Sequence, residues 1–323
     1  MSERFVGTMP VQDRHRFDLG ALESYLRGRI EGFSGPLSAE QFRGGQSNPT
    51  YLLRAGDARW VLRAKPGPAA KLLPSAHAVE REFRVITALG RAGIPVPRTH
   101  CLCEDESVVG RAFYVMEYVE GRVLWDQSLP GMAPRERAAI YDEMNRVIAA
   151  LHEVDTLAAG LADFGKPGNY FARQIARWSG QYRASEPEKV RDMERLIEWL
   201  PENIPPGDET AVVHGDYRMD NLVFHPREPK ILAILDWELS ALGHPFGLER
   251  LGLLDHCQCG STRSLGLIRQ RHRCPEDRHD RVPNEFVQGP LLGQDLVRHA
   301  REELPEHLDD LLRCMPLGVP GEI

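Results

Sequence analysis

The sequence predicts an α+β protein of two lobes, a small antiparallel sheet carrying one helix and then a mainly helical lobe. Three observations predict it. Residues 38–119 read as two strands, a helix and two more strands. Residues 133–200 carry three successive runs with apolar residues at helical spacing. Gly121 falls between these regions and marks the lobe boundary, and 323 residues suffice for two lobes of roughly 100–200 residues each.

The elements follow in order. Residues 16–31 predict a helix, with Asp18 placed to cap it and Leu19, Leu22, Leu26 and Ile30 on one face. Phe42 to Leu53 reads as a Gly-rich turn leading into a strand, and Ala58 to Lys65 as its partner across a tight turn at Gly56-Asp57. Residues 75–92 predict a helix capped by Ser75, with Val79, Phe83, Ile86 and Leu89 on one face; Gly93 stops it, and Pro95 and Pro97 forbid its resumption. Strands are expected at Arg98–Cys103 and Arg111–Val119. A long helix spans 133–153, with Pro134 tolerated in its first turn. Two more helices are expected at 168–184 and 187–200, where the i, i+4 pair Trp178 and Tyr182 reads as core. A loop over Pro201–Pro206 leads to the short strands Ala211–Val213 and Ile231–Leu235. The domain reading is a helical segment at 1–37, a smaller lobe at 38–120, a larger lobe at 121–245 and a distinct tail at 246–323.

Composition narrows the function. The chain is 42% hydrophobic and 27% charged, as in ordinary soluble globular proteins. A formal net charge of −7 without a long basic run argues against nucleic acid as partner. No stretch approaches the ~20 apolar residues of a membrane span, and the first residues lack the apolar core of a secretory signal. The expectation is a cytoplasmic protein with no membrane partner, whose six cysteines are thiols.

Chemistry concentrates in His214-Gly-Asp-Tyr-Arg-Met-Asp-Asn221, followed fifteen residues later by Asp236 in Ile231-Leu-Ala-Ile-Leu-Asp-Trp-Glu. Phosphoryl transfer from ATP needs a carboxylate that orients the attacking hydroxyl and takes its proton, with an amide and a second carboxylate to hold Mg²⁺ against the phosphates. Asp216 fits the first role; Asn221 and Asp236 fit the others, because Mg²⁺ prefers hard oxygen ligands. The Asp-x4-Asn spacing is that of the protein-kinase catalytic loop. Asp and Asn are also common in plain loops, but Asp236 closes an apolar run, where a bare carboxylate is costly unless paired or metal-bound. His214 reads as a brace for the loop. Gly44, Gly45, Ser47 and Asn48 form a turn whose backbone N–H groups could cover phosphates. Arg63 and Lys65 share a face of the following strand by its period of two.

Taken together these phrases resemble the aminoglycoside-phosphotransferase-like family, which has a kinase-like fold. More narrowly, they are similar to the branch related to the kinase domain fused to certain acyl-CoA dehydrogenases. Gly44-Gly-Gln-Ser-Asn-Pro-Thr-Tyr, Leu73-Pro-Ser-Ala-His-Ala-Val-Glu-Arg-Glu, Phe113-Tyr-Val-Met-Glu-Tyr-Val-Glu-Gly and Leu239-Ser-Ala-Leu-Gly-His-Pro carry the same resemblance. It implies a two-lobed kinase using ATP and Mg²⁺. Arg63 or Lys65 would hold the α/β-phosphates, with Arg63 favoured because Val-Leu-Arg often replaces the kinase lysine there, and Glu82 would hold that cation. The backbone of Met116, Glu117 and Tyr118, the connector between lobes, would meet adenine. The implied acceptor is a small-molecule hydroxyl, on a hydroxyacyl thioester or related hydroxy acid rather than an aminoglycoside.

After Pro245 the composition changes. Residues 246–323 hold four of the six cysteines, one alanine and no Lys, Tyr or Trp, whereas all five tryptophans precede them. The expectation is a tail foreign to the family's C-terminal region, as a shift of reading frame would produce. Its His256-Cys-Gln-Cys259 lacks the spacing of common zinc sites. The competing functional reading is therefore a kinase-like module that holds nucleotide without turnover.

Overall fold

The computed structural model describes residues 6–43, 48–66, 78–186, 188–204, 207 and 209–245. In chain order the elements are β1 (Thr8–Met9), α1 (Leu19–Leu26), β2 (Ser38–Phe42), β3 (Thr50–Ala55), β4 (Ala58–Ala64), α2 (Val79–Arg91), β5 (Thr99–Cys103), β6 (Phe113–Glu117) and β7 (Arg122–Val123). Then come α3 (Pro134–His152), α4 (Tyr170–Ser185), α5 (Arg191–Glu202), β8 (Ala211–Val213), β9 (Leu222–Phe224), β10 (Ile231–Ile234) and β11 (Ala241–Gly243). The architecture is α+β.

The first six strands form one antiparallel sheet in the order β1-β2-β3-β4-β6-β5. Strand periodicity sorts its side chains. Trp60, Leu62 and Ala64 of β4, with Phe113 and Val115 of β6, pack with Leu22 and Leu26 of α1. Val61 of β4, with Tyr114 and Met116 of β6, packs with Val79, Val85, Ile86 and Leu89 of α2. Arg63 follows Val61 by two residues and so points to the α2 side. The stripe of α2 runs Val79, Glu82, Val85, Ile86, Leu89, all buried, so the helical period carries one carboxylate inward. Asp18 caps α1 as expected, its Oδ1 accepting from the N–H groups of Gly20 at 2.8 Å and Ala21 at 3.0 Å.

In the second half, α3 buries Ile140, Met144, Val147, Ile148 and Leu151. Strand β8 pairs with β11, and β9 pairs with both β10 and β7. The segments after β8 and after β10 therefore emerge side by side. Gly121 passes so close to β9 that a Cβ there would strike the Phe224 carbonyl and the Val223 side chain. No helix among the described residues is long and apolar enough to cross a membrane.

Several boundaries differ from expectation. Strands β1, β2, β7, β9 and β11 were not foreseen; most are too short to show a period. Helix α2 starts at Val79 and Ala78 precedes it without a side-chain cap, while Ser75 lies outside the described residues. Helix α5 begins at Arg191 and runs through Pro201 to Glu202. Proline so near the end removes one N–H and interrupts almost nothing beyond it. Trp178, expected in the core, is 46% exposed, because α4 buries only Tyr170. The tail 246–323, with its cysteines and histidines, lies outside the described residues.

Candidate active site

A cavity of about 830 Å³ opens between the sheet and the β8–β11 region. One end is apolar, with Val61, Ile86, Met116, Val223 and Ile234 in its wall, and the connector residues Glu117 to Val119 edge it. The other end is polar, with Arg63, Arg218, Asp220, Asn221 and Asp236. An apolar wall beside a group of charged side chains suits a nucleotide, with few polar groups among many apolar ones.

Arg63 organises the polar end from the sheet side. Its side chain is 9% exposed, and its Nε lies 2.9 Å from Glu82 Oε2, an ion pair bent away from hydrogen-bond geometry. Its Nη2 donates to Asp236 Oδ1 at 2.5 Å and to Glu238 Oε2 at 3.2 Å. Glu82 is held further: Asn48 Nδ2 donates to its Oε1 at 2.9 Å and the Tyr114 hydroxyl to its Oε2 at 3.1 Å. Asn48 Nδ2 also reaches Glu238 Oε2 at 3.3 Å. Burial pushes the Glu82 carboxyl up to about 7, against the pull of Arg63, and nearby Asp236 and Glu238 add to the rise. Burial opposes the charge on Arg63, but Glu82 and Asp236 more than offset it and raise its pKa above the ordinary arginine range.

The second contribution comes from the loop between β8 and β9. His214 is fully buried against Trp237, with ring centroids 4.6 Å apart. Its Nε2 lies 2.8 Å from the Leu235 carbonyl, and its Nδ1 accepts the Asp216 N–H at 3.2 Å. The tautomer protonated at Nε2 satisfies both bonds, so His214 ties this loop to the end of β10. Gly215 has φ +86°, and a Cβ there would sit 2.6 Å from the Leu239 carbonyl, so glycine alone fits. Asn221 Nδ2 then donates to the Asp216 carbonyl at 2.9 Å and to Asp216 Oδ2 at 3.0 Å. Asp236 has φ +62°, a left-handed conformation that Asp tolerates better than most residues and that turns its carboxylate into the cavity.

Asp216 and Asn221 of the loop after β8 thus adjoin Asp236 of the segment after β10, the two segments being joined by the Leu235 N–H, which donates to the Asn221 main-chain carbonyl at 2.8 Å. Arg63 meets Glu82 and Asp236, whereas Lys65 pairs with Glu80 at 2.9 Å. Met116, Glu117 and Tyr118 line the cavity, and Arg59 sits 4.5 Å over the Tyr118 ring. Asn48 enters the site through its buried side chain rather than as a backbone donor alone. Gly44, Gly45 and Ser47 lie outside the described residues. Three further groups were not assigned from the motif. Glu238 belongs to the Arg63 network, and Arg218 and Asp220 stand in the cavity wall. Burial raises the Asp220 carboxyl above its ordinary value, while Arg218 pulls it down. All three lie within or beside the motif, so their positions were legible but not their contacts.

The residues fit a Mg²⁺ ion bound with a nucleotide. Asn221 spends its amide nitrogen on Asp216, which leaves its carbonyl oxygen as a ligand atom, and Arg63 takes only Oδ1 of Asp236. Among the described residues no group of three His, Cys, Asp or Glu side chains forms an all-protein metal site. Mg²⁺ commonly takes one or two carboxylates and completes its shell with phosphates and waters.

A family model described as the phosphotransferase enzyme family matches residues 38–246. The chain belongs to this family. As a phosphotransferase-family protein it is 51% identical over 240 residues to acyl-CoA dehydrogenase family member 10 of Mus musculus, covering 74% of this chain and 22% of that one. It is 47% identical over 245 residues to acyl-CoA dehydrogenase family member 11 of Gallus gallus, covering 74% and 31%. The chain therefore spans between about a fifth and a third of the length of these curated relatives. Among solved structures, a protein of Ralstonia eutropha JMP134 provisionally named as an aminoglycoside phosphotransferase matches with 61% identity and a TM-score of 0.66, over 71% of this chain and 67% of that one. A ternary complex of a thermostable APH(4)-Ia mutant (N203A) with AMP-PNP and hygromycin B matches with 18% identity and a TM-score of 0.54, over 91% and 93%. At that identity the likeness is one of fold, and the fold is kinase-like.

Proposed function

We propose that this chain transfers the γ-phosphoryl group of ATP, bound with Mg²⁺, to the hydroxyl of a small molecule. The observation that carries the reading is the meeting of Asn221, Asp236 and Arg63 at the polar end of one cavity, with Asp216 hydrogen-bonded to Asn221 beside it and apolar residues along the rest of the wall. In this reading adenine lies against Val61 and Val223, beside the connector at Met116 to Tyr118. Arg63, steadied by Glu82, meets the α/β-phosphates. Asn221 and Asp236 would hold Mg²⁺, which when bound neutralises charge on the phosphates. Asp216 accepts the proton of the acceptor hydroxyl as that oxygen bonds the γ-phosphorus and the bond to the β-phosphate oxygen breaks, leaving ADP. Gly44, Gly45 and Ser47, which precede β3 in the chain, would cover the phosphates.

The acceptor we favour is a hydroxyacyl thioester or related hydroxy acid. The support is the similarity to chains named as acyl-CoA dehydrogenase family members, at 51% and 47% identity. A cytoplasmic location suits such an acceptor. Calorimetric titration with ATP, with and without Mg²⁺, tests the nucleotide half; equal and negligible heats would remove the kinase reading. Turnover across a panel of 3- and 4-hydroxyacyl-CoA thioesters, with kanamycin and hygromycin B for contrast, tests the acceptor. Turnover of an antibiotic alone would sink the thioester.

A further inference from the structure

We infer that Arg218 is a positioning residue that sets the orientation of the Asp216 carboxylate; the inference rests on the reading of Asp216 as the proton acceptor. Arg218 sits two residues after Asp216, and its side chain is 45% exposed, yet its guanidinium is doubly tied. Nε lies 2.9 Å from Asp216 Oδ1, and Nη2 lies 3.0 Å from Asp220 Oδ2. Two different nitrogens on two different carboxylates define the plane of the guanidinium, which a point-like ammonium could not do.

The consequence falls on Asp216. The last torsion of an aspartate is broad and roughly two-fold, so one partner leaves the carboxylate free to rock. Asn221 supplies one partner, on Oδ2 at 3.0 Å. Arg218 supplies the other, an ion pair on Oδ1, and the two contacts on opposite oxygens favour one orientation of the carboxylate. A carboxylate oxygen can accept more than one bond, so Oδ1 can meet an acceptor hydroxyl while Arg218 stays in place. Asp220 is the anchor at the far end. Its Oδ1 is buried and has no hydrogen-bond partner, so the carboxylate is committed to Arg218 through Oδ2. A surface ion pair serving only the loop would contribute little to stability and nothing to turnover. A device that orients the proton acceptor acts on kcat, because a misplacement of about 1 Å can cost on the order of 100-fold.

The full chain carrying R218A, R218K, D220N or D216N is assayed for kcat on the hydroxyacyl-CoA panel and for ATP affinity by calorimetry. R218A is expected to lower kcat about 10- to 100-fold with ATP affinity within about twofold of wild type, and added guanidinium is expected to restore part of the loss. R218K should fall between R218A and wild type, and D220N should lose kcat in the same direction by less. Wild-type kcat in R218A, or a loss of kcat matched by a loss of ATP affinity, overturns the inference. D216N separates the two readings. If D216N is silent and R218A turns over normally, only the role of Arg218 fails; if D216N turns over, the role of Asp216 fails first. Crystal structures of wild type and R218A give a readout independent of any acceptor. The Asp216 carboxylate should leave Asn221 in the variant, and a superposable carboxylate overturns the inference whatever the kinetics show.

Discussion

The Arg63 network and the Arg218 network line the same cavity, yet they are built on opposite plans. Arg63 and Glu82 are 9% and 1% exposed, and the network draws on β4, α2, β6 and the segment after β10. Arg218 and Asp216 are 45% and 34% exposed, and their contacts stay within one loop. A buried guanidinium among carboxylates cannot exchange partners cheaply, because each group removed leaves a desolvated charge behind. A half-exposed one costs little stability to remove, because water takes the place of each lost partner. In the proposed reading the first plan suits a fixed floor under the nucleotide. In the same reading the second suits a carboxylate that takes up and releases a proton each turnover.

The contrast can be broken most directly at Asp216. Asp216→Ala should lower phosphoryl transfer by ~10²–10⁴-fold with ATP affinity and thermal stability near wild type, read by coupled assay, calorimetry and melting. Loss of ATP binding in a still-folded protein would contradict the division of labour. Asp236→Ala should instead weaken ATP binding with Mg²⁺ together with turnover, and a variant that keeps full Mg²⁺-dependent affinity would contradict the assignment of Asp236.

Stability sharpens the comparison next. Arg63→Ala leaves Glu82 buried without its cation and should cost about 3–5 kcal/mol in urea unfolding. Arg218→Ala should cost ~0–1 kcal/mol. Equal costs would mean that the two networks do not differ as their burial says.

A further comparison is in pH. Glu82, pushed by burial up to about 7 from 4.5, keeps a proton in the folded chain where the unfolded chain has lost it. Its contribution is therefore fully present below about 4.5 and is lost as pH rises through about 7. Unfolding free energy measured from pH 5 to pH 8 should fall more steeply in wild type than in Glu82→Gln. Parallel curves would show that Glu82 titrates normally.

How legible this was depended on the range over which each signal acts. Helical and strand periods act over neighbours in sequence, so α1, α2, α3, β3, β4 and β6 could be read directly. Strands of two or three residues, such as β7 and β9, have no period to read and exist because longer partners hold them. Trp178 shows the limit from the other side. Its i, i+4 spacing with Tyr182 predicts a stripe but not whether anything covers it.

The sequence by itself determined the α+β alternation, the family, and the spacing that brings Asp216, Asn221 and Asp236 into consideration, because these rest on local pattern and on residue types chemistry rarely replaces. The resemblance favoured Arg63 with Glu82 and left Lys65 open; tertiary structure decided which cation meets which carboxylate. Arg63 and Lys65 share a strand face, and Glu80 and Glu82 share a helix, so no local rule assigns Arg63 to Glu82 and Lys65 to Glu80. The angle at which α2 lies on the sheet does. Likewise Asn48 meets Glu238 across 190 residues and Arg63 meets Asp236 across 173. Contacts at such separations follow from how packed elements approach one another, and the buried stripe of α2 carries Glu82 to the place where β4 delivers the Arg63 guanidinium.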